Sequence, residues 1–293
     1  MAKAFSKYLL IQYADDSQIL LSGKINDLQD LLNQAEIALK EAKTYFQVNG
    51  LNVNVNKTQC IFIGSRQLIN KIPSNATILF DETHIKPSQT VKNLGVLMDQ
   101  YMLFDHHINH VIKKVNGVLF FLNRIKDRFD KTSRLTVVES LVLSVINYCS
   151  KIWGMTTKEQ IDRVQKAQNF AAKIAYGGAR KYDHVTPILK ELQWMNIETK
   201  ILFDLCLFVY KICNHLVPDW LFKFPTVGDV QGRPTRQSSD LFVRRTTTDM
   251  GAKSISIKGP RVWNNIPTNI KNAPSSKLFK KILKSYLLEN KLQ

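Results

Sequence analysis

At 293 residues, 44% of them hydrophobic, the chain has the composition of a globular protein and length enough for one large domain or two ordinary ones. Its 41 Lys and Arg against 24 Asp and Glu give a formal charge of +17 and a pI near 9.7, so a polyanion is the expected partner, nucleic acid first and anionic membrane second. A membrane-spanning helix is excluded: no apolar run reaches about 18 to 20 residues, and the longest, over 201–212, is interrupted by Asp204 and Lys211.

The N-terminal residues, Met1 to Tyr8, hold no secretory apolar region distinct from the strand that follows, so an intracellular protein is expected. Next come two apolar runs of strand length, Tyr8-Leu9-Leu10-Ile11-Gln12 and Ile19-Leu20-Leu21, joined through Tyr13-Ala14-Asp15-Asp16. Short apolar runs around a polar link predict a β-hairpin with both carboxylates at its tip. Adjacent carboxylates repel, and one or two hard divalent cations would neutralise them. The competing explanation is a solvated turn, where Asp is a favoured residue.

Asn26 with Gln29 predicts a helix cap, and Leu28, Leu31, Leu32, Ala35, Ala38, Leu39, Ala42 and Phe46 continue at helical spacing as far as Asn49-Gly50. Leu51, Val53 and Val55 alternate with asparagines, and Cys60-Ile61-Phe62-Ile63 forms a second short run, so both are expected to be strands. Residues 65–76 read as a loop. Ile78-Leu79-Phe80 and Val91 to Met98, with Gly95 inside, read as hairpin strands. From Phe104 the period becomes helical: Phe104, His107, Ile108, Val111, Ile112, Val115, Val118, Leu119 and Leu122 share a stripe, with Lys113, Lys114, Arg124, Lys126 and Arg128 largely off it. Further helices are expected at about 133–149, 158–175, 183–191 and 197–216. Pro218, Pro225, Gly228, Gly232 and Pro234 then mark a linker. It leads to a basic stretch with Arg233, Arg236, Arg244, Arg245, Lys253, Lys258 and Arg261, and to a last helix over about 275–289.

Cys60, Cys149, Cys206 and Cys213 show neither zinc spacing nor a disulfide framework and are expected to be free thiols. His106 and His110, one turn apart beside Asp105 and His107, make an incomplete metal set. Trp153, Trp194, Trp220 and Trp263 are expected to anchor the core rather than stack on bases.

Taken in order, the Tyr13-Ala14-Asp15-Asp16 hairpin, the helix, Val55-Asn56-Lys57-Thr58 before an apolar run, Leu94-Gly95-Val96 and the basic helix resemble a known series. It is similar to the C-terminal half of the reverse transcriptase palm followed by the thumb, in the non-LTR retrotransposon class. The tail, Gly259-Pro260-Arg261-Val262-Trp263-Asn264-Asn265-Ile266-Pro267, resembles the C-terminal region of many animal retroelement polyproteins. Leu94-Gly95-Val96 is a close match to the family's primer-grip hairpin, whereas Leu51-Asn52 stands at a different spacing from Lys57-Thr58.

The resemblance implies an α+β fold, with a partial palm of antiparallel strands and a helix over 1–102, an all-α thumb and bundle over 103–222, and a linker with a basic C-terminal region over 223–293. It implies two-metal nucleotidyl transfer from a nucleoside triphosphate to the 3′-hydroxyl of a DNA primer on an RNA template, with Mg²⁺ on Asp15 and Asp16 and Lys57 protonating the leaving pyrophosphate. Tyr13, Ala14, Leu94 and Gly95 would lie at the primer, and Lys113, Lys114, Arg124, Lys126 and Arg128 along the phosphate backbone. The family's third aspartate and its fingers come earlier in the polypeptide than Tyr13 and are expected to be missing, so the chain alone is expected to bind Mg²⁺ weakly and not to polymerise. The alternative is a metal-independent nucleic-acid-binding module. No oligomeric state is legible.

Overall fold

The computed structural model describes residues 8–180, 182–218, 223–232 and 237–289; Trp220, Arg233, Pro234 and Arg236 lie outside them. Helices and short antiparallel strand pairs make up the chain, as in the α+β class. It divides into two compact units, Met1–Tyr101 and Met102–Gln293.

In the first unit β1 (Leu9–Tyr13) pairs antiparallel with β2 (Asp16–Leu20), in the register Leu9 to Leu20 and Tyr13 to Asp16. The helix α1 (Leu28–Val48) is entered through a 3₁₀ turn, Ile25–Asp27, and has no side-chain cap, so the cap expected from Asn26 with Gln29 does not form. Its apolar stripe buries Leu32, Ala38 and Ala42. The helix ends where Leu51 N donates to Phe46 O and Gly50 N to Gln47 O, the two bonds of a Schellman cap.

The expected strands over 51–55 and 60–63 are absent. Asn54 Oδ1 accepts from Lys57 N and closes a 3₁₀ turn, Val55–Lys57, in line with the habit of asparagine of bonding nearby backbone. Cys60 forms a single parallel bridge to Pro87, whose missing N–H removes a donor the ladder would need. A one-turn helix α2 (Arg66–Ile69), capped by Ser65, interrupts the expected loop. Then β3 (Ile78–Phe80) pairs with β4 (Thr83–Ile85), and β5 (Thr90–Asn93) with β6 (Val96–Asp99). Glu36 accepts from Leu79 N, and Lys43 meets Asp81 at 2.7 Å, tying α1 to the β3–β4 hairpin.

The second unit is helical. On α3 (Asp105–Ile125) most of the predicted stripe faces inward: His107, Ile108, Val111, Val115, Leu119 and Leu122 are buried, and Ile112 and Val118 half-buried. The helix expected from about 133 begins two residues earlier, at Lys131, and is capped by Asp130. That helix, α4 (Lys131–Val138), continues through a π-helical turn, Glu139–Leu143, into α5 (Ser144–Asn147), and α6 (Ser150–Trp153) follows. Next are α7 (Lys158–Tyr176), packed on α3, then α8 (Val185–Glu191) and α9 (Ile197–Cys213). Trp153 and Trp194 are buried core anchors, their indole N–H groups donating to Tyr148 O and Glu139 Oε1.

The segment beyond 223 folds onto α9. It contains α10 (Val227–Gln231), α11 (Asp249–Lys253), α12 (Ile255–Asn264), α13 (Thr268–Lys271) and α14 (Ser276–Glu289). Phe279 of α14 stacks on Tyr210 of α9 with ring centroids 4.1 Å apart, and Trp263 of α12 lies 5.9 Å from Phe279. Tyr210 OH donates to Ala273 O at 2.7 Å, so the buried hydroxyl is satisfied. A Cβ on Gly259 would lie 3.2 Å from Phe224 Cζ and Val209 Cγ2, which is how closely α12 approaches α9. Leu241 and Ile257 are buried, giving this basic stretch apolar support that its composition conceals.

Candidate functional site

The tip of the first hairpin is a two-residue turn, Ala14 and Asp15, between the paired Tyr13 and Asp16. Ala14 stands at φ 52°, while Asp15 has no positive φ, the sign pattern of a type II′ turn whose twist suits a hairpin. Glycine normally fills that first position, because a Cβ there costs about 1–2 kcal/mol. Strain of this kind persists where function or surrounding structure demands it. Ala14→Gly is therefore expected to leave the melting temperature of the first unit unchanged or slightly higher, the relief being partly offset by about 0.4–1 kcal/mol of unfolded-chain entropy. Ala14→Val should lower stability by about 1–2 kcal/mol. Thermal melts of both variants check this.

The turn presents Asp15 and Asp16 to solvent, and Tyr13 beside them is 66% exposed, so the tyrosine is not a core residue. Leu9, Ile11 and Leu20 are also exposed. Alternation and pairing put Leu9, Ile11, Tyr13, Asp16, Gln18 and Leu20 on one hairpin face.

Gln18 joins this hairpin to the second predicted element of the site. Its Nε2 donates to Asn93 Oδ1 at 2.7 Å, and Asn93 Nδ2 donates to Gln18 Oε1 at 3.1 Å. Asn93 is the last residue before the β5–β6 turn, in which Leu94 (φ 44°) and Gly95 (φ 85°) both take the left-handed conformation of a type I′ turn. The first unit thus brings the Asp15–Asp16 hairpin and the Leu94–Gly95 hairpin together through a reciprocal amide pair. Sequence reasoning had no signal for Gln18, whose partner is distant in the chain. Lys57 is exposed at the end of its 3₁₀ turn.

In the second unit His106, His110, Lys113, Lys114, Arg124 and Arg128 are exposed, and Lys126 is half-buried. At 100° per residue His106, His110, Lys113 and Arg124 share the outer face of α3, with Lys114 at its margin. Phe120 and Phe121 are 63% and 60% exposed on the same outer side, and Phe120 meets Phe170 of α7 edge-on at 5.9 Å. Cations interleaved with exposed aromatic rings suit a polynucleotide, offering charge for phosphates and π-faces for bases.

Asp15 and Asp16 supply the hard oxygen donors that Mg²⁺ takes, and so fit that ion in kind. They do not complete its shell: among the described residues no group of three or more His, Cys, Asp or Glu is placed to hold a metal. His107 packs inside the core beside Trp153, and burial and then the neighbouring His110 push its pKa down, which favours a neutral ring. The four cysteines are free, with Cys206 fully buried. Burial pushes the thiols of Cys206 and Cys213 up to about 12 and about 11, so neither offers a thiolate at neutral pH. No helix of the described residues is long and apolar enough to cross a membrane.

No protein-family model and no solved structure matches the chain. Curated relatives do. The "Probable RNA-directed DNA polymerase from transposon X-element" of Drosophila melanogaster is 20% identical over 177 residues, covering 59% of this chain and 19% of the relative. The "Retrovirus-related Pol polyprotein from type-1 retrotransposable element R1" of Nasonia vitripennis is 25% identical over 173 residues, covering 55% and 50%. A further Nasonia vitripennis polyprotein, from element R1 3, is 26% identical over 145 residues, covering 48% and 37%. The chain thus matches half or less of each relative's length, and on these matches it is similar to RNA-directed DNA polymerase and Pol proteins of non-LTR retrotransposons.

Proposed function

We propose that this chain is the C-terminal part of a retrotransposon RNA-directed DNA polymerase, with the end of the palm in 1–102 and the thumb and C-terminal region after it. One observation carries this reading: an exposed aspartate pair on a strained hairpin tip, bonded through Gln18 and Asn93 to the Leu94–Gly95 hairpin, in a chain similar to proteins named as an RNA-directed DNA polymerase and as Pol polyproteins. Asp15 and Asp16 would hold Mg²⁺, which when bound supplies a more acidic primer hydroxyl and neutralises charge on the leaving pyrophosphate. The chain's own part is positional. Tyr13 and the turn backbone meet the primer end, Leu94 and Gly95 hold it from the second hairpin, and Lys57 donates a proton to the leaving group. The cations of α3 follow the phosphates of an RNA template paired with a DNA primer. Two carboxylates with no third ligand described beside them bind Mg²⁺ weakly, so the chain by itself does not polymerise.

Binding tests the reading without requiring catalysis. A fluorescent RNA–DNA primer–template is expected to bind the purified chain with a steep salt dependence. Lys113→Ala with Lys114→Ala should flatten the slope of log affinity against log salt by about 2, near 0.9 for each lost phosphate contact in a duplex. No binding even at low salt would overturn it.

A further inference from the structure

The second unit contains a cavity of about 480 Å³ that none of the assignments above uses. Its walls are aliphatic, from Leu202 of α9, Val243 and Val262, while Lys258, Arg261 and Asn264 of α12 and Asn265 at its C-cap bring polar groups to it. Positions 258, 261, 262 and 265 follow helical spacing, so one face of α12 lines it. The wall carrying Val243 is pinned, because Asn264 Oδ1 accepts from Leu241 N and its Nδ2 donates to Leu241 O.

Neither cation has an ion-pair partner among the described residues. Lys258 is half-buried. Burial pushes its pKa down, Glu198 opposes that shift from beyond ion-pairing distance, and Lys253 adds repulsion. A cation that gives up hydration without gaining a counter-charge is costly, and an arriving anion removes the cost. Lys258 also faces a smaller cleft lined by Lys151 of α6 and Lys253 of α11. Lys151 Nζ lies 4.9 Å from the ring centre of Phe208. Lys151, Lys253, Lys258 and Arg261 thus form a cationic row from three helices, more than one small anion requires and suited to a repeating phosphate chain.

We propose that the α9–α12 cavity is a phosphate-binding subsite for a nucleic-acid backbone, with Lys258 and Arg261 as its cationic contacts. The shared chemistry is the phosphate group; the nucleic-acid source rests on the polymerase reading above, and free phosphate or pyrophosphate is the other source.

The test uses the purified full chain and a fluorescent single-stranded RNA oligonucleotide, with calorimetric titration of inorganic phosphate and pyrophosphate in parallel. Lys258→Gln with Arg261→Gln is expected to weaken oligonucleotide binding about tenfold and to flatten the salt slope by about 1.4, near 0.7 for each single-strand contact. Unchanged oligonucleotide affinity in this variant, with loss on Lys113→Ala and Lys114→Ala, overturns the subsite and leaves the polymerase reading standing. If the unsubstituted chain binds no oligonucleotide but binds pyrophosphate, and the double variant does not, the subsite stands for free phosphate and the nucleic-acid source is overturned. Absence of both kinds of binding overturns the subsite and the reading together. Should the double variant melt early, Arg261→Gln alone, at an exposed position, decides the matter by an expected loss of about threefold or more.

Discussion

Phe279→Ala is expected to destabilise the second unit by about 3–5 kcal/mol, the range for removing a buried aromatic ring. No part of Phe279 is exposed, and it packs against both Tyr210 and Trp263, at centroid distances of 4.1 and 5.9 Å. Its removal takes away the ring that stacks on Tyr210 of α9 and touches Trp263 of α12. Tyr210 OH then loses its reason to stay aligned with Ala273 O, so part of a buried hydrogen bond goes with the ring. At about 2–4 °C per kcal/mol for a unit of this size, the melting temperature should fall by roughly 6–20 °C. Phe121→Ala, at a ring 60% exposed on α3, should stay within about 0.5 kcal/mol of the unsubstituted protein. Equal melts for the two variants would mean that the C-terminal helices do not share the core of α9.

The second large effect concerns Asp15 and Asp16. Either change, Asp15→Asn or Asp16→Asn, keeps the shape of the tip and removes one of its two charged ligands. Mn²⁺, a hard cation that reports its own position by paramagnetic broadening, is expected to bind weakly at the tip and to broaden the amide signals of Ala14, Asp15, Asp16 and Ser17. Each substitution should weaken that binding more than about tenfold, because one carboxylate is then left with waters held with little preorganisation. Broadening of the tip signals that survives both substitutions would remove the aspartates from the metal site.

Much of the fold was legible because helices announce themselves by period. The stripe from Phe104 to Leu122 needed only the 3.6-residue repeat, and the last helix, expected near 275–289, runs from Ser276 to Glu289. The first hairpin was legible from its apolar arms and polar link. Alternation misled at 51–55, where the polar partners of the leucine and valines are asparagines. Their side chains bond local backbone, and Asn54 closes a turn where a strand was expected. The union of the two site hairpins was not legible, since Gln18 and Asn93 are ordinary polar residues until folding makes them neighbours. The same holds for α9 and the C-terminal helices, whose link between Tyr210 and Phe279 spans elements that no local pattern connects. Lys258 and Arg261 stood out in sequence as charge alone. Their common cavity exists because Gly259 lets α12 approach α9 and Asn264 fixes the backbone at Leu241.

Template-directed primer extension by the purified chain, in Mg²⁺ and in Mn²⁺, tests the central claim most directly. A ligand lost from a two-metal site withdraws several kcal/mol from the transition state, and each 1.36 kcal/mol is tenfold in rate. With Asp15 and Asp16 as the only described carboxylates of the site, incorporation is expected to stay at the level of the enzyme-free control for both the unsubstituted chain and Asp15→Asn. Template-dependent incorporation by the unsubstituted chain that disappears in Asp15→Asn would contradict the account, because the pair would then sit in a complete catalytic centre.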